Sequence, residues 1–104
     1  MLEKKEKYYE NGQKWYEEYW LKGKYHRENG PARQEWYENG QKKYEYYLLN
    51  HKFHKENGPA IQRWYENGQK KYEEYYLNNE KISKKEFILY TRKRKLNKLY
   101  QSIK

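Results

Sequence analysis

The sequence contains no cysteine, no aspartate and no valine, and only two prolines and one methionine. Without cysteine there is neither a disulfide framework nor a thiolate metal site. Without aspartate a Ser-His-Asp triad cannot be assembled, and Ser83 and Ser102 both lie near the C-terminus, away from every histidine. No apolar run approaches the ~20 residues needed to cross a bilayer, so no transmembrane segment is expected. Met1-Leu2-Glu3-Lys4-Lys5 is not followed by the hydrophobic stretch of a signal peptide, so a cytoplasmic location is expected. Aliphatic bulk is scarce too, at 8 Leu and 4 Ile in 104 residues.

Fifteen Tyr and 4 Trp supply the bulk that is missing. A packed aromatic buries on the order of 150–250 Å², and Tyr and Trp keep a polar tip for a hydrogen bond. Their regular spacing indicates a folded chain with a thin aromatic core. Charge is uneven: residues 1–80 are almost neutral at +1, whereas residues 81–104 carry +8 of the total +9. Any attraction to an anionic partner therefore belongs to the C-terminal segment.

The string Trp-Tyr-Glu-Asn-Gly-Gln-Lys-Lys-Tyr-Glu occupies residues 36–45 and returns unchanged at 64–73. Asn-Gly recurs at intervals of 18, 10, 18 and 10, and His26-Arg27-Glu28-Asn29-Gly30-Pro31-Ala32 returns as His54-Lys55-Glu56-Asn57-Gly58-Pro59-Ala60, so the period is 28. A period of this size marks a repeat architecture, in which one unit needs neighbours to bury its face. Asn-Gly between alternating segments predicts a hairpin with a type I′ turn. The flanking segments Gln13–Trp20, Gln41–Leu48 and Gln69–Tyr76 alternate as strands, which places Lys42, Tyr44, Tyr46 and Leu48 on one face. Leu21-Lys22-Gly23-Lys24 and Leu49-Asn50-His51-Lys52 predict a second turn, and Arg33–Glu38 and Ile61–Glu66 the return strands. The expected fold is mainly β: an antiparallel hairpin array of two and a half repeats over residues 1–82, followed by a basic capping helix over 83–104. Ser83 with Glu86 forms the capping box that starts the helix. Ile88, Leu89, Leu96, Leu99, Tyr100 and Ile103 fall on one broad helical face, which is the face expected to dock on the last strands.

The motif Tyr-Glu-Asn-Gly-Gln-Lys-x-Tyr-Glu, followed by Tyr-x-Leu, resembles the bacterial and viral variant of the MORN (membrane occupation and recognition nexus) repeat over roughly residues 7–82. The His-(Arg/Lys)-Glu-Asn-Gly-Pro-Ala segment resembles a longer subtype found in phages and large DNA viruses. The resemblance implies an elongated array of β-hairpins that binds proteins or lipids. For a viral accessory protein, it implies sequestration or inhibition of a host component.

Candidate sites follow from the repeat. Tyr16, Tyr44 and Tyr72 form one aromatic row, Tyr8, Trp36 and Trp64 a second, and Tyr19, Tyr47 and Tyr75 a third. Tyr and Trp ringed by Lys and Glu is the composition of a protein-binding surface, so a protein partner or self-association into a homo-oligomer is the leading expectation. The alternative is binding of nucleic acid or a nucleotide through Arg92, Lys93, Arg94 and Lys95 with adjacent aromatics. His51-x-x-His54 lies in a turn and lacks companion ligands, and His26 and His54 are repeat-equivalent, so structural hydrogen bonds account for them and no metal is expected. Glu17-Glu18 and Glu73-Glu74 point to opposite faces of a strand and cannot share a proton. Neither catalysis nor a cofactor is expected.

Overall fold

The structure is a computed structural model that describes residues 2–103. Ten strands and one helix follow in chain order. The strands are β1 (Leu2–Tyr8), β2 (Lys14–Leu21), β3 (Lys24–Tyr25), β4 (Arg33–Trp36), β5 (Lys42–Tyr46), β6 (Leu48–Leu49), β7 (Lys52–Phe53), β8 (Ile61–Trp64), β9 (Lys70–Leu77) and β10 (Glu80–Ile82), and the helix is α1 (Lys84–Ser102). An antiparallel sheet runs in the order β1-β2-β4-β5-β8-β9-β10, with β3 beside β2 and with β6 and β7 paired separately. The array of hairpins with a C-terminal capping helix is thus the fold that the repeat predicts.

The two turn types exchange roles relative to the sequence reading. At Asn11-Gly12 only the glycine has positive φ (+88°), as do Gly40 and Gly68 in the later copies. Tyr9 N donates to Gln13 O at 2.8 Å and Gly12 N to Tyr9 O at 3.0 Å, which closes a three-residue loop ending in a left-handed glycine. Asn11 spends its side chain instead, accepting from Gln13 N at 2.9 Å. The two-residue turns with both φ positive are Lys22-Gly23, Asn50-His51 and Asn78-Asn79. They satisfy the type I′ requirement with Asn, His or Gly, and in the first turn with Lys22 ahead of Gly23.

Each of the three loops at Gly12, Gly40 and Gly68 is flanked by a register shift, between Lys7 and Tyr8, Glu35 and Trp36, and Arg63 and Trp64 on the entering strand, opposite an extra residue on the leaving strand. One residue is added to one strand, so alternation breaks there. Lys42 consequently lies on the face of Glu45, to which it donates at 2.7 Å, and not on the face of Tyr44 as strict alternation predicts. The return strands end at this bulge, at Trp36 and Trp64, two residues short of the expected Glu38 and Glu66.

Pairing fixes the content of the two faces. One row reads Glu6, Glu17, Gln34, Glu45, Gln62, Glu73, with Tyr19, Tyr47 and Tyr75 on the same side. We call this the loop face, because Arg27 and Lys55, from the segments between β3 and β4 and between β7 and β8, lie over Tyr19 and Tyr47 at 4.0 and 3.7 Å. The opposite arginine face carries the rows Lys7, Tyr16, Glu35, Tyr44, Arg63, Tyr72 and Lys5, Glu18, Arg33, Tyr46, Ile61, Glu74. The core is as thin as the composition requires: Ala32, Ala60, Tyr44, Leu48, Ile61, Tyr75 and Phe87 are buried.

Helix α1 begins at the predicted capping box, where Ser83 Oγ accepts from Glu86 N at 3.0 Å and Glu86 Oε1 accepts from Ser83 N at 3.2 Å. It docks by the side opposite to the expected one. Phe87 is buried on Tyr75 with ring centroids 4.7 Å apart, Tyr90, Thr91 and Arg94 are half-buried, and Ile88, Leu89, Leu96, Leu99, Tyr100 and Ile103 are exposed. The reason is local. Phe87 fills over Tyr75 the position that Arg27 and Lys55 fill over Tyr19 and Tyr47. Arg94 then bonds Glu56 at 2.7 Å, and the two anchors fix the rotation of the helix.

Candidate functional site: the aromatic rows, the repeat seams and the outer helix face

Consecutive repeats are joined by two seams of hydrogen bonds that recur every 28 residues. At the hairpin-tip seam, His26 Nδ1 accepts from Asn50 N and His54 Nδ1 from Asn78 N, both at 2.9 Å. Tyr25 N donates to His51 Nδ1 at 3.0 Å and Phe53 N to Asn79 Oδ1 at 3.2 Å. His51 N and Asn79 N return bonds to Tyr25 O and Phe53 O at 2.8 and 2.7 Å. All three imidazoles are therefore acceptors between repeats. No group of three or more metal-ligating side chains occurs among the described residues.

The Asn-Gly seam lies at the other end of the strands. Tyr9 Oη donates to Trp36 O at 2.7 Å and Tyr37 Oη to Trp64 O at 2.9 Å. Asn11 Nδ2 donates to Glu38 O at 3.0 Å and Asn39 Nδ2 to Glu66 O at 2.9 Å. Each copy thus offers a phenol and an amide to the backbone carbonyls of the next.

The aromatic rows of the sequence reading divide between the two faces. Tyr16, Tyr44 and Tyr72 share the arginine face, and Glu35 and Arg63 stand between them. Exposure is lowest at the centre of this row: Tyr44 is buried, whereas Tyr16 at one end is half-buried and Tyr72 at the other is 39% exposed. Burial pushes the Tyr44 phenol up to about 12, although Arg33 Nε, 2.6 Å away, opposes the shift. Tyr75 is buried beneath Phe87, and Tyr19 and Tyr47 are half-buried beneath Arg27 and Lys55. Trp36 and Trp64 are half-buried on the loop face beside Lys42 and Lys70, and Tyr8 is 55% exposed at the end of its row.

Charge is mostly neutralised within the sheet. Lys14 bonds Glu17 at 2.7 Å, Lys42 bonds Glu45 at 2.7 Å and Lys70 bonds Glu73 at 2.9 Å, one pair per repeat. Burial works to raise the Glu17 carboxyl, and the bonds from Lys14 and Gln34 more than offset it, so it ends below the ordinary carboxylate value. On the arginine face Arg33 is bound by Glu18 and lies 3.7 Å from Glu35. Arg63 donates to Tyr46 Oη and has no carboxylate partner among the described residues, and its Nε is buried without an acceptor.

A groove of about 670 Å³ lies between the two Gly-Pro loops, lined by Arg27, Tyr47, Leu49, Lys55, Glu56 and Arg94 among others. Its cations are already engaged: Arg27 and Lys55 on tyrosine rings, and Arg94 on Glu56. Of the expected tail cluster, Arg92, Lys93 and Lys95 are exposed and make no ion pair among the described residues, while Arg94 is taken up by docking.

Exposed apolar side chains gather on the outer face of α1, where Leu96 is 65%, Leu99 62% and Ile103 81% exposed. The heptad spacing of Leu89, Leu96 and Ile103 signals such a seam in the sequence, but which way it faces is set by Phe87. No helix of the described residues is long and apolar enough to cross a membrane. The chain matches no protein-family model, no curated protein and no solved structure.

Proposed function

We propose that this chain is a non-catalytic binding module on a MORN-like repeat, and that it binds a protein partner through the outer face of α1. The observation that carries the proposal is the concentration of exposed apolar side chains on that face: Ile88, Leu89, Leu96, Leu99, Tyr100 and Ile103. A contiguous apolar stripe marks an interaction site, whereas scattered apolar residues do not. Arg92 interrupts the stripe and Lys93 and Lys95 border it, all three without an ion pair among the described residues, so the complementary partner presents an apolar ridge that also carries carboxylates. The aromatic rows contribute less open area, chiefly Tyr8 at one end of the sheet and Tyr72 on the arginine face, because most of their bulk serves as core. The viral subtype that the His26–Ala32 segment resembles makes a sequestered or inhibited host protein, in a cytoplasmic setting, the expected partner class.

A second reading, nucleic-acid binding, is favoured by the same three free cations. The near-neutral body supports it less, since the repeated Lys–Glu pairs present no net field to a phosphate backbone.

One experiment separates the two. Immobilised protein is exposed to host lysate and washed at rising salt, alongside Leu96→Glu/Leu99→Glu and Arg92→Gln/Lys93→Gln/Lys95→Gln variants. A discrete protein held at high salt by the parent chain and lost in the leucine variant supports the first reading. Nucleic acid released by salt and lost in the glutamine variant supports the second. Retention of neither by the parent chain rejects both.

A further inference from the structure

The two ends of the sheet carry unmatched halves of the contact that joins repeats inside the chain. Strand β1 is the repeat-equivalent of β4. Lys5, Glu6, Lys7 and Tyr8 face Glu18, Glu17, Tyr16 and Lys14, as Arg33, Gln34, Glu35 and Trp36 face Tyr46, Glu45, Tyr44 and Lys42, with the register shift at the same place. The other side of β4 pairs with β2, Glu35 opposite Tyr16, Gln34 opposite Glu17 and Arg33 opposite Glu18. The other side of β1 pairs with nothing among the described residues, and all of β1 is exposed. At the far end, β10 covers only Tyr75–Leu77 of β9, so Lys70–Glu74 is left with a free outer side. That free side is the repeat-equivalent of the side of β2 that receives β4.

The side-chain seam is unmatched in the same way. Tyr65 and Asn67 are the third copies of Tyr9 and Asn11, and no fourth copy among the described residues supplies carbonyls for Tyr65 Oη and Asn67 Nδ2. Tyr65 is 50% exposed, whereas Tyr9 and Tyr37 are half-buried. At the opposite end, Tyr8 O and Glu10 O are the equivalents of Trp36 O and Glu38 O, and no side-chain donor reaches them among the described residues. The Gln13 side chain lies 3.3 Å from a Cβ placed on Gly40 and that of Gln41 3.1 Å from one on Gly68, so Gln69 and Gly12 complete the set of unmatched halves.

We propose that a second copy of this chain docks head to tail, its β1 adding to the Lys70–Glu74 edge as β4 adds to β2. Repeat equivalence gives the register: Tyr72 opposite Lys7 of the second copy, Glu73 opposite Glu6 and Glu74 opposite Lys5. Tyr65 Oη and Asn67 Nδ2 then donate to Tyr8 O and Glu10 O of the second copy. Charges are compatible. Lys5 meets Glu74 where Arg33 meets Glu18 within the chain. The Glu6–Glu73 pair is flanked by the lysines already bonded to each, Lys14 at 3.1 Å and Lys70 at 2.9 Å. Helix α1 runs inward over the loop face, from Phe87 on Tyr75 to Arg94 on Glu56, and adds no strand to this edge. Leu2–Lys4 of the incoming copy would meet β10 and has to leave β2, which costs the pairs Leu2–Leu21, Glu3–Trp20 and Lys4–Tyr19 and makes the association reversible. The contact is heterologous and does not close on itself, so it builds chains of copies and not a dimer alone.

Sedimentation velocity across a concentration series tests this on the full chain, with Tyr65→Phe/Asn67→Asp as the decisive variant. Asn67→Asp keeps the Oδ1 that accepts from Gln69 N and removes only the amide donor. Neither change touches a bond to another repeat, so the fold is retained and circular dichroism checks it. The parent chain is expected to form a ladder of dimers, trimers and longer species, with the variant needing roughly tenfold more protein to do so. Lys5→Glu and Glu74→Lys are each expected to stay monomeric alone, where like charges meet at the junction, and to rebuild the ladder as an alternating copolymer when mixed. A parent chain that is monomeric throughout overturns the proposal. So does a closed dimer without longer species, or an oligomer unchanged in the Tyr65→Phe/Asn67→Asp variant.

Discussion

His54 accepts the backbone N–H of Asn78 at Nδ1, 2.9 Å away, and so ties the second repeat to the hairpin tip of the third. His26 does the same for Asn50 at the same distance. An imidazole in a repeat of this kind invites a search for a metal or a general base, yet here its lone pair is committed to holding one repeat against the next.

Replacing His54 with Ala removes that acceptor and leaves Asn78 N to water. The bond is exposed, so the expected cost is about 1 kcal/mol, read as a lower urea midpoint with an unchanged m-value. Hydrogen exchange should quicken at Asn78, while the bonded amides of Tyr37 and Gly40 at the opposite end of the repeat keep their protection.

His51→Asn should be nearly silent. Asn79 already performs the role in the next repeat, accepting from Phe53 N at 3.2 Å as His51 accepts from Tyr25 N at 3.0 Å. Both residues have positive φ, 70° and 67°, a conformation Asn tolerates at least as well as His. A stability change within about 0.5 kcal/mol is expected in thermal or urea unfolding. His51→Ala, which keeps the positive φ without an acceptor, should destabilise measurably more.

Stability should fall at both extremes of pH. Glu6, Glu17 and Glu73 lie below their ordinary value of 4.5, so the unfolded state takes up protons first as pH drops. Their contribution is complete above that value and is lost as pH falls through the folded-state values. Tyr44 runs the other way. Its phenol is raised to about 12 from 10.0, so above pH 10 the unfolded chain ionises first and stability declines toward pH 12. Tyr44→Phe should flatten this alkaline limb, as seen by circular dichroism over a pH series.

Phe87→Ala should release α1 from the sheet without unfolding the strands. The ring is the buried anchor of the helix on Tyr75, and helices in proteins owe most of their stability to such packing and not to propensity. Loss of a buried Phe costs about 3 kcal/mol where the whole fold feels it. Here the expected readout is local: amide protection disappears over residues 84–103, and Tyr75 becomes accessible. Persistence of that protection would show that Arg94–Glu56 and helix propensity suffice.

The doubled string at residues 36–45 and 64–73 determined the period, the antiparallel order and the positions of both turns, because each depends on contacts close in sequence. The capping box at Ser83 and Glu86 likewise marked the helix start, since it needs only four consecutive residues. Three features required the tertiary structure. The glycine-ended loop after Tyr9 and its equivalents inserts a bulge, and that single extra residue moves Lys42 to the face of Glu45. Strict alternation cannot register it, because a bulge depends on the twist between two paired strands. Repeat equivalence already points to structural hydrogen bonds for His26 and His54, but their partners, backbone N–H groups 24 residues away, emerge only in the fold. The rotation of α1 is set by one ring, Phe87, finding the space above Tyr75, so the heptad of Leu89, Leu96 and Ile103 faces outward. Periodicity identifies which side chains share a face, and packing against the rest of the chain decides whether that face is covered.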